Sequence, residues 1–402
     1  MEERRPESND DEGSGLSTAS HCEAMRADHP CMQPSDDKFG YMPTAKRIAQ
    51  TAMNAPASHG LVLHVDGEWG SGKSSMLGLV NSVLTTAAPP GQSAAQVIWF
   101  NPWWFSDHEH LVQQFFSEFQ KKLPHENNVL MAAGRAIAEY SDALSDVVAT
   151  GAGSLGLPQV GLLKNFLSWC FRKLSPPKKD VGGLRAEIAE KLSEARQRFV
   201  VFIDDIDRLT PAEINQVFRV IKAVADFPNV VYILAFDRDV VARALESEHG
   251  AINGSAYLEK IIQVPFVLPT LRPDQLRDLL IADVRESAPE VQFDDSGDMY
   301  ETNVLDAMGN LVRHPRDLVR FTNAFAPTYA GLRGDVLAVD VAAMELLRVV
   351  EPKAYRAIRN DETSFAGNPI GRDGTPGDDH EPRRRSGLPG CRRGGELPYG
   401  AF

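Results

Sequence analysis

The sequence predicts an α/β fold: a parallel sheet flanked by helices, with a helical insert and a C-terminal helical lid. Three observations predict it. Short apolar runs at Leu61–Val65, Gln96–Phe100, Phe199–Asp205 and Asn229–Asp237 read as buried strands, the last two with polar ends, as strands covered on both faces have. Stretches with apolar residues at helical spacing separate them. The first run passes through a glycine-rich loop directly into a helical pattern.

That loop is Gly67-Glu68-Trp69-Gly70-Ser71-Gly72-Lys73-Ser74-Ser75. It reads G-x-x-x-x-G-K-S, the phosphate-cradling (Walker A) pattern of a nucleoside triphosphatase. Glycines let the backbone turn tightly, so successive N–H groups point at phosphate oxygens. Lys73 adds a point charge near the β- and γ-phosphates, and the Ser74 hydroxyl is placed to hold Mg²⁺. A ligand-free glycine-rich turn is the alternative. The setting of strand, loop and helix favours the anion site, because a helix N-terminus attracts phosphate.

A chain of 402 residues can bury a large core in one domain or two. Its formal net charge of −13 argues against a general nucleic-acid grip. The first thirty residues or so are acidic and polar, unlike a signal peptide. The four cysteines, Cys22, Cys31, Cys170 and Cys391, have no metal-ligand spacing, even with His21 and His29 near two of them. Reduced thiols in a cytoplasmic protein are the expectation.

In chain order, residues 1–35 read as a disordered acidic tail and 36–270 as the nucleotide-binding core. A lead-in helix over Thr44–Met53 serves either packing or the nucleotide base. After the second strand, Asn101-Pro102-Trp103-Trp104-Phe105 is expected to plug the core edge, with a wall of the site as the alternative. The insert spans 108–185, with helices over Leu111–Leu123 and Val129–Val148. Its uncharged run Val147–Leu163 is shorter than the ~20 residues of a spanning helix and carries several glycines. A glycine-rich connector beside a helix at Leu162–Leu174 is favoured over membrane contact.

Gly183–Arg196 reads as an amphipathic helix leading into Phe199-Val200-Val201-Phe202-Ile203-Asp204-Asp205, the second (Walker B) half of such a machine. Asp204 is expected to hold Mg²⁺, and Asp205 to act as the base orienting the attacking water. Thr210-Pro211-Ala212-Glu213 forms a capping box, and Ile214, Val217, Phe218, Ile221 and Val224 form the buried stripe behind it. A strand over Asn229–Asp237 ends in a polar residue able to sense the γ-phosphate. A helix over Val240–Glu248 follows, and Tyr257–Pro269 ends the core with a fifth strand.

The lid, 271–355, holds helices over Asp274–Ser287, Val304–Leu311, Pro315–Ala326 and Val336–Val350. Arg313, Arg316 and Arg320 cluster there, either as a solvated charged face or as the source of one arginine for the γ-phosphate. Residues 356–402 change abruptly to Gly, Pro, Arg and Asp and are expected to be disordered. Such a break also fits a truncated or frameshifted product.

These residues together resemble the KAP family of P-loop NTPases. The resemblance rests on Gly67–Ser75 with Trp69 inside the loop, Asn101-Pro102-Trp103, Phe202–Leu209, Phe227–Asp237 and His314–Asn323, and covers roughly 36–350. It implies ATP as the nucleotide and a sheet in which another strand separates the Asp204 strand from the loop strand. It also points to Arg316 as the catalytic arginine. Many members of the family carry membrane-spanning helices in the insert, and some act in signalling assemblies or phage defence. The resulting expectation is an ATPase with a nucleotide-driven switch or assembly role, an unidentified protein partner and a homo-oligomeric option. The rival is a nucleotide-gated scaffold with negligible turnover.

Overall fold

In the computed structural model the described residues are 29–86, 94–105, 111–124, 127–152, 181–195, 197–249, 253–291 and 299–361. They form two compact units, one spanning His29–Thr270 and one beginning at Leu271.

The first unit is built on five parallel strands: β1 (Leu61–Asp66), β2 (Gln96–Phe100), β3 (Phe199–Ile203), β4 (Val230–Phe236) and β5 (Val264–Val267). Their order is β2-β3-β4-β1-β5, so β4 lies between the loop strand and the Asp204 strand. The strands β3 and β4 are buried at every position. Both faces must therefore be covered, which is why their sequences are continuously apolar rather than alternating. The edge strand β5 carries Pro265 opposite His64. A proline lacking its N–H is tolerated at such an edge.

The helices of this unit are α1 (Met42–Met53), α2 (Lys73–Thr86), α3 (Leu111–Lys121), α4 (Asn128–Ala152), α5 (Val181–Ala195), α6 (Pro211–Val224), α7 (Arg238–His249) and α8 (Gly254–Glu259). One face of the sheet packs on α3 to α7 through a single cluster that includes Phe115, Phe116, Ile137, Ile188, Phe218 and Leu245. Helix α6 starts at the expected box, where the Thr210 amide donates to Glu213 Oε2 at 2.7 Å, and its whole predicted stripe is buried. Asp37 starts α1: its two carboxylate oxygens accept the Tyr41 and Met42 amides at 3.0 and 2.8 Å.

Three expectations are corrected. The acidic tail does not reach residue 35, because Cys31 and Met32 already lie against α2. The Cys31 amide donates to Ser75 Oγ at 3.0 Å, and a Cβ on Gly78 would meet Cys31 O at 2.5 Å, so α2 needs a glycine where this segment crosses. The last strand is shorter than Tyr257–Pro269. Asn253 accepts the Ala256 amide and turns Gly254–Glu259 into α8, while a Cβ on Gly254 would lie 2.1 Å from Ala242 O. The boundary at 355 falls inside a helix, α13 below.

The second unit comprises α9 (Pro273–Ser287), α10 (Met299–Gly309), α11 (Pro315–Ala330), α12 (Ala338–Val350) and α13 (Pro352–Asn360). Leu280, Val284, Leu305, Phe321, Phe325 and Leu346 form its core. Inside it the Thr322 hydroxyl donates to the buried Asp283 carboxylate at 2.9 Å.

No helix among the described residues is long and apolar enough to cross a membrane. Helix α4 enters the Val147–Leu163 run, but its remainder and the Leu162–Leu174 segment lie outside the described residues, as do 1–28 and 362–402.

His64 is a polar exception inside β1. It is fully buried, stacks on Phe236 at 3.9 Å between centroids, and its Nε2–H donates to Phe236 O at 3.1 Å. Its Nδ1 is among the buried atoms with no hydrogen-bond partner. Burial disfavours the imidazolium and pushes the pKa from 6.5 down to about 4. The stability gained by keeping this ring neutral is present above pH 6.5 and lost as pH falls through about 4. We predict that the urea midpoint falls over that window, by an amount worth roughly 3 kcal/mol from His64. In His64→Leu the acid loss should be smaller; parallel pH curves for the two proteins would contradict this.

Candidate functional site

The site forms where the strands end. A parallel sheet buried on both faces disfavours polar side chains except at its strand ends, and those of the site collect on the carboxyl edge. There β1 ends in Asp66, β2 is followed by Asn101, β3 by Asp204 and Asp205, and β4 by Asp237.

The loop between β1 and α2 is wound as the glycines allow. Gly70 and Gly72 have φ of 86° and 96°, values that a side chain strains. A Cβ on Gly67 would meet Ser71 Oγ at 2.7 Å, and one on Gly72 would touch the Tyr41 ring at 3.0 Å. Tyr41, at the start of α1, braces the turn by donating its hydroxyl to Ser71 O at 2.7 Å. The Ser71 hydroxyl in turn donates to Glu68 O at 2.6 Å. Lys73 and Ser74 open α2, whose N-terminal amides and dipole face the loop. Trp69 stands out of the loop, 56% exposed. Ser75 turns its hydroxyl to the Cys31 amide, so its side chain is occupied in the fold.

Lys73 is almost entirely buried. Its ammonium donates to Gly67 O at 2.9 Å and Glu68 O at 3.3 Å, and pairs with Asp207 Oδ2 at 2.9 Å. Asp207 was not singled out from the sequence. The signal was present as a third carboxylate, three residues after Asp204 on a one-turn 3₁₀ helix, Ile206–Arg208, which returns it to the same side.

Asp204 is buried, and the Ser74 hydroxyl beside it favours the ionised carboxylate. Burial raises its carboxyl from 3.8 to about 6; the Asp205 charge adds to the rise, and Ser74 opposes it. The two residues expected at the metal are thus side by side. No cluster of three or more His, Cys, Asp or Glu able to hold a metal is found among the described residues. Two protein oxygens suit Mg²⁺, which keeps waters and takes its remaining ligands from substrate phosphates.

Asp205 adopts a left-handed conformation, φ 59°, and its carboxylate is clamped. Asn101 Nδ2 donates to Oδ2 at 2.8 Å and Arg208 Nε pairs with Oδ1 at 2.7 Å. Asn101 uses its other end to accept the Trp103 amide at 3.0 Å, and the Arg208 guanidinium lies 5.2 Å from the Trp103 ring centroid. The expectation that all three aromatics plug the core is corrected here. Trp103 and Trp104 are 52% and 72% exposed, and only Phe105 packs inward, on Phe100. The proline turn, not the aromatic content, decides this: it buries Pro102 and swings both tryptophans outward.

Asp237 caps α7, its Oδ1 accepting the Asp239 and Val240 amides at 3.0 and 3.2 Å, while its own amide donates to Asp207 Oδ2 at 3.1 Å. One of its carboxylate oxygens is therefore committed to the helix start. In the helical unit, Arg313 pairs with Glu351 at 2.7 Å and Arg320 donates to Val349 O at 3.0 Å. Arg316 lies on α11 in that unit.

Comparison with known proteins gives one relative among curated proteins, the phage T7 exclusion protein of Escherichia coli (strain K12). It is 29% identical over 352 residues, which cover 80% of this chain and 45% of the relative. The chain thus spans about half the length of the curated relative it matches. Among solved structures, Drosophila ORC bound to DNA aligns with a TM-score of 0.45 at 11% identity, over 89% of this chain and 73% of that one. The Aeropyrum pernix ORC2 protein in its ADPNP–ADP complexes aligns at 0.43 and 11%, over 84% and 74%. The match to the KAP family P-loop domain runs over residues 41–332, from the tyrosine that braces the loop to the end of α11, and the chain belongs to that family.

Proposed function

We propose that the protein binds ATP with Mg²⁺ and hydrolyses it, using the cycle as a switch or assembly step. The observation that carries this reading is the meeting of Ser74 and Asp204 beside the Lys73 loop at the N-terminus of α2. The loop amides and Lys73 take the phosphates. Ser74 and Asp204 hold the metal, which when bound neutralises charge on the phosphoryl oxygens. Asp205 orients the attacking water through the lone pairs left after its two clamping bonds.

One observation favours the second reading, a nucleotide-gated scaffold. Both carboxylate oxygens of Asp205 are already engaged, by Asn101 and by Arg208. A base held this way works slowly until the clamp moves. The name of the E. coli relative supports phage exclusion as the setting for either form, and the net charge of −13 supports protein rather than nucleic acid as the partner. A homo-oligomer in the cytoplasm remains part of the proposal.

Steady-state ATP turnover of the wild type against Asp205→Asn separates the two readings. For a hydrolase we expect the variant to lose about 10²-fold or more in kcat with little change in ATP affinity, and to lose phage exclusion in cells. Equal, negligible turnover in both proteins would leave the scaffold.

From the sequence pattern of His314–Asn323 we also propose Arg316 as the arginine that stabilises the transition state. Such a group is worth roughly 10³–10⁵ in rate. Arg316→Ala should lose most hydrolysis and keep most of its ATP affinity. A loss of only a few-fold, with a large loss in Arg208→Ala or Arg238→Ala, would move the role to one of those residues.

A further inference from the structure

The buried pair Lys73–Asp207 carries more than stability. An ammonium has three N–H donors. All three of Lys73 go to protein acceptors: Gly67 O, Glu68 O and Asp207 Oδ2. A phosphate oxygen therefore gains a Lys73 N–H only by displacing one of them. The two carbonyls belong to the loop that must itself wrap the phosphates. Asp207 is the charged member, and an arriving phosphate repels it. The pair is also screened from water, with side chains 9% and 6% exposed, so attraction and repulsion act at more than their surface strength.

We propose that Asp207 is a built-in competitor for the nucleotide: it holds Lys73 until the phosphates exchange for it, and so sets nucleotide affinity. The same Asp207 oxygen accepts the Asp237 amide at the start of α7. That second bond keeps the carboxylate in place after Lys73 has changed partner. Asp207 is thus a positioning residue acting through Lys73. The inference rests on the nucleotide reading above.

The test is the affinity of the full chain for ADP, measured calorimetrically in EDTA so that no metal takes part. Asp207→Asn keeps the shape and still accepts the Asp237 amide, but removes the competing charge. It should bind ADP roughly tenfold more tightly than the wild type. Asp207→Glu, which restores the charge, should return towards wild-type affinity. A purely structural role predicts the opposite sign, so unchanged or weaker binding in a folded Asp207→Asn overturns the proposal. Removing one partner of a buried pair can cost folding. If Asp207→Asn does not fold, Lys73→Gln and Lys73→Gln/Asp207→Asn provide the same test. With Lys73 absent Asp207 has nothing to withhold, so the two variants should bind ADP with similar affinity; a double variant that binds several-fold more tightly than Lys73→Gln would place the effect in direct repulsion and overturn the proposal. A wild type that takes up no ADP at millimolar concentration would sink the nucleotide reading itself, and this inference with it.

Discussion

The constraint on which this structure depends is that a parallel strand between helical layers has no wet face. Along β3 and β4 every side chain is buried, so a carboxylate inside them would cost several kcal/mol unpaired. His64 apart, the polar residues of the site appear where the strands stop, and the strands all stop on one edge because they run parallel. Asp66, Asn101, Asp204, Asp205 and Asp237 are consequences of this. So is the placement of the loop, which leaves β1 on that edge and starts α2 there with unsatisfied amides.

Concentrating carboxylates on one edge creates an electrostatic problem, and the local bonds show how it is handled. Lys73 neutralises Asp207. Arg208 and Asn101 take the two oxygens of Asp205, with Trp103 covering the guanidinium. Asp237 commits one oxygen to the start of helix α7. Asp204 has Ser74, a backbone amide and the nearby Lys73 charge against burial, and its carboxyl is still raised. A divalent cation relieves that one imbalance, and Asp204 is the residue whose chemistry most calls for it.

The elements legible in the sequence were those governed by local rules. The capping box at Thr210, the stripe of α6 and the runs of β3 and β4 follow from periodicity and cap chemistry, which act over a few residues. What escaped depended on contacts between distant segments. Cys31 and Met32 look like part of a polar tail until the Gly78 surface of α2 receives them. Asn253 reverses a strand-like run into α8 through a single side-chain bond. Within the site, the loop and the Ser74–Asp204 pairing could be anticipated because motif spacing encodes them. The Asp207–Lys73 pair and the Asn101 clamp could not, since no motif pattern names Asp207 as a partner of the loop lysine or Asn101 as a partner of Asp205. Trp103 and Trp104 show the limit of composition: hydrophobic content set the expectation, and the turn at Pro102 overruled it.

The central claim is that Lys73 and its loop form a nucleotide site. The most direct measurement is the equilibrium binding of ATP with Mg²⁺ to the wild type and to Lys73→Ala, followed by calorimetry, with circular dichroism and cooperative unfolding as the check on the fold. The account predicts saturable binding in the wild type and a loss of about 10²-fold or more in the variant, equivalent to roughly 3 kcal/mol, in a chain that still folds. Equal affinity in the two folded proteins would contradict it.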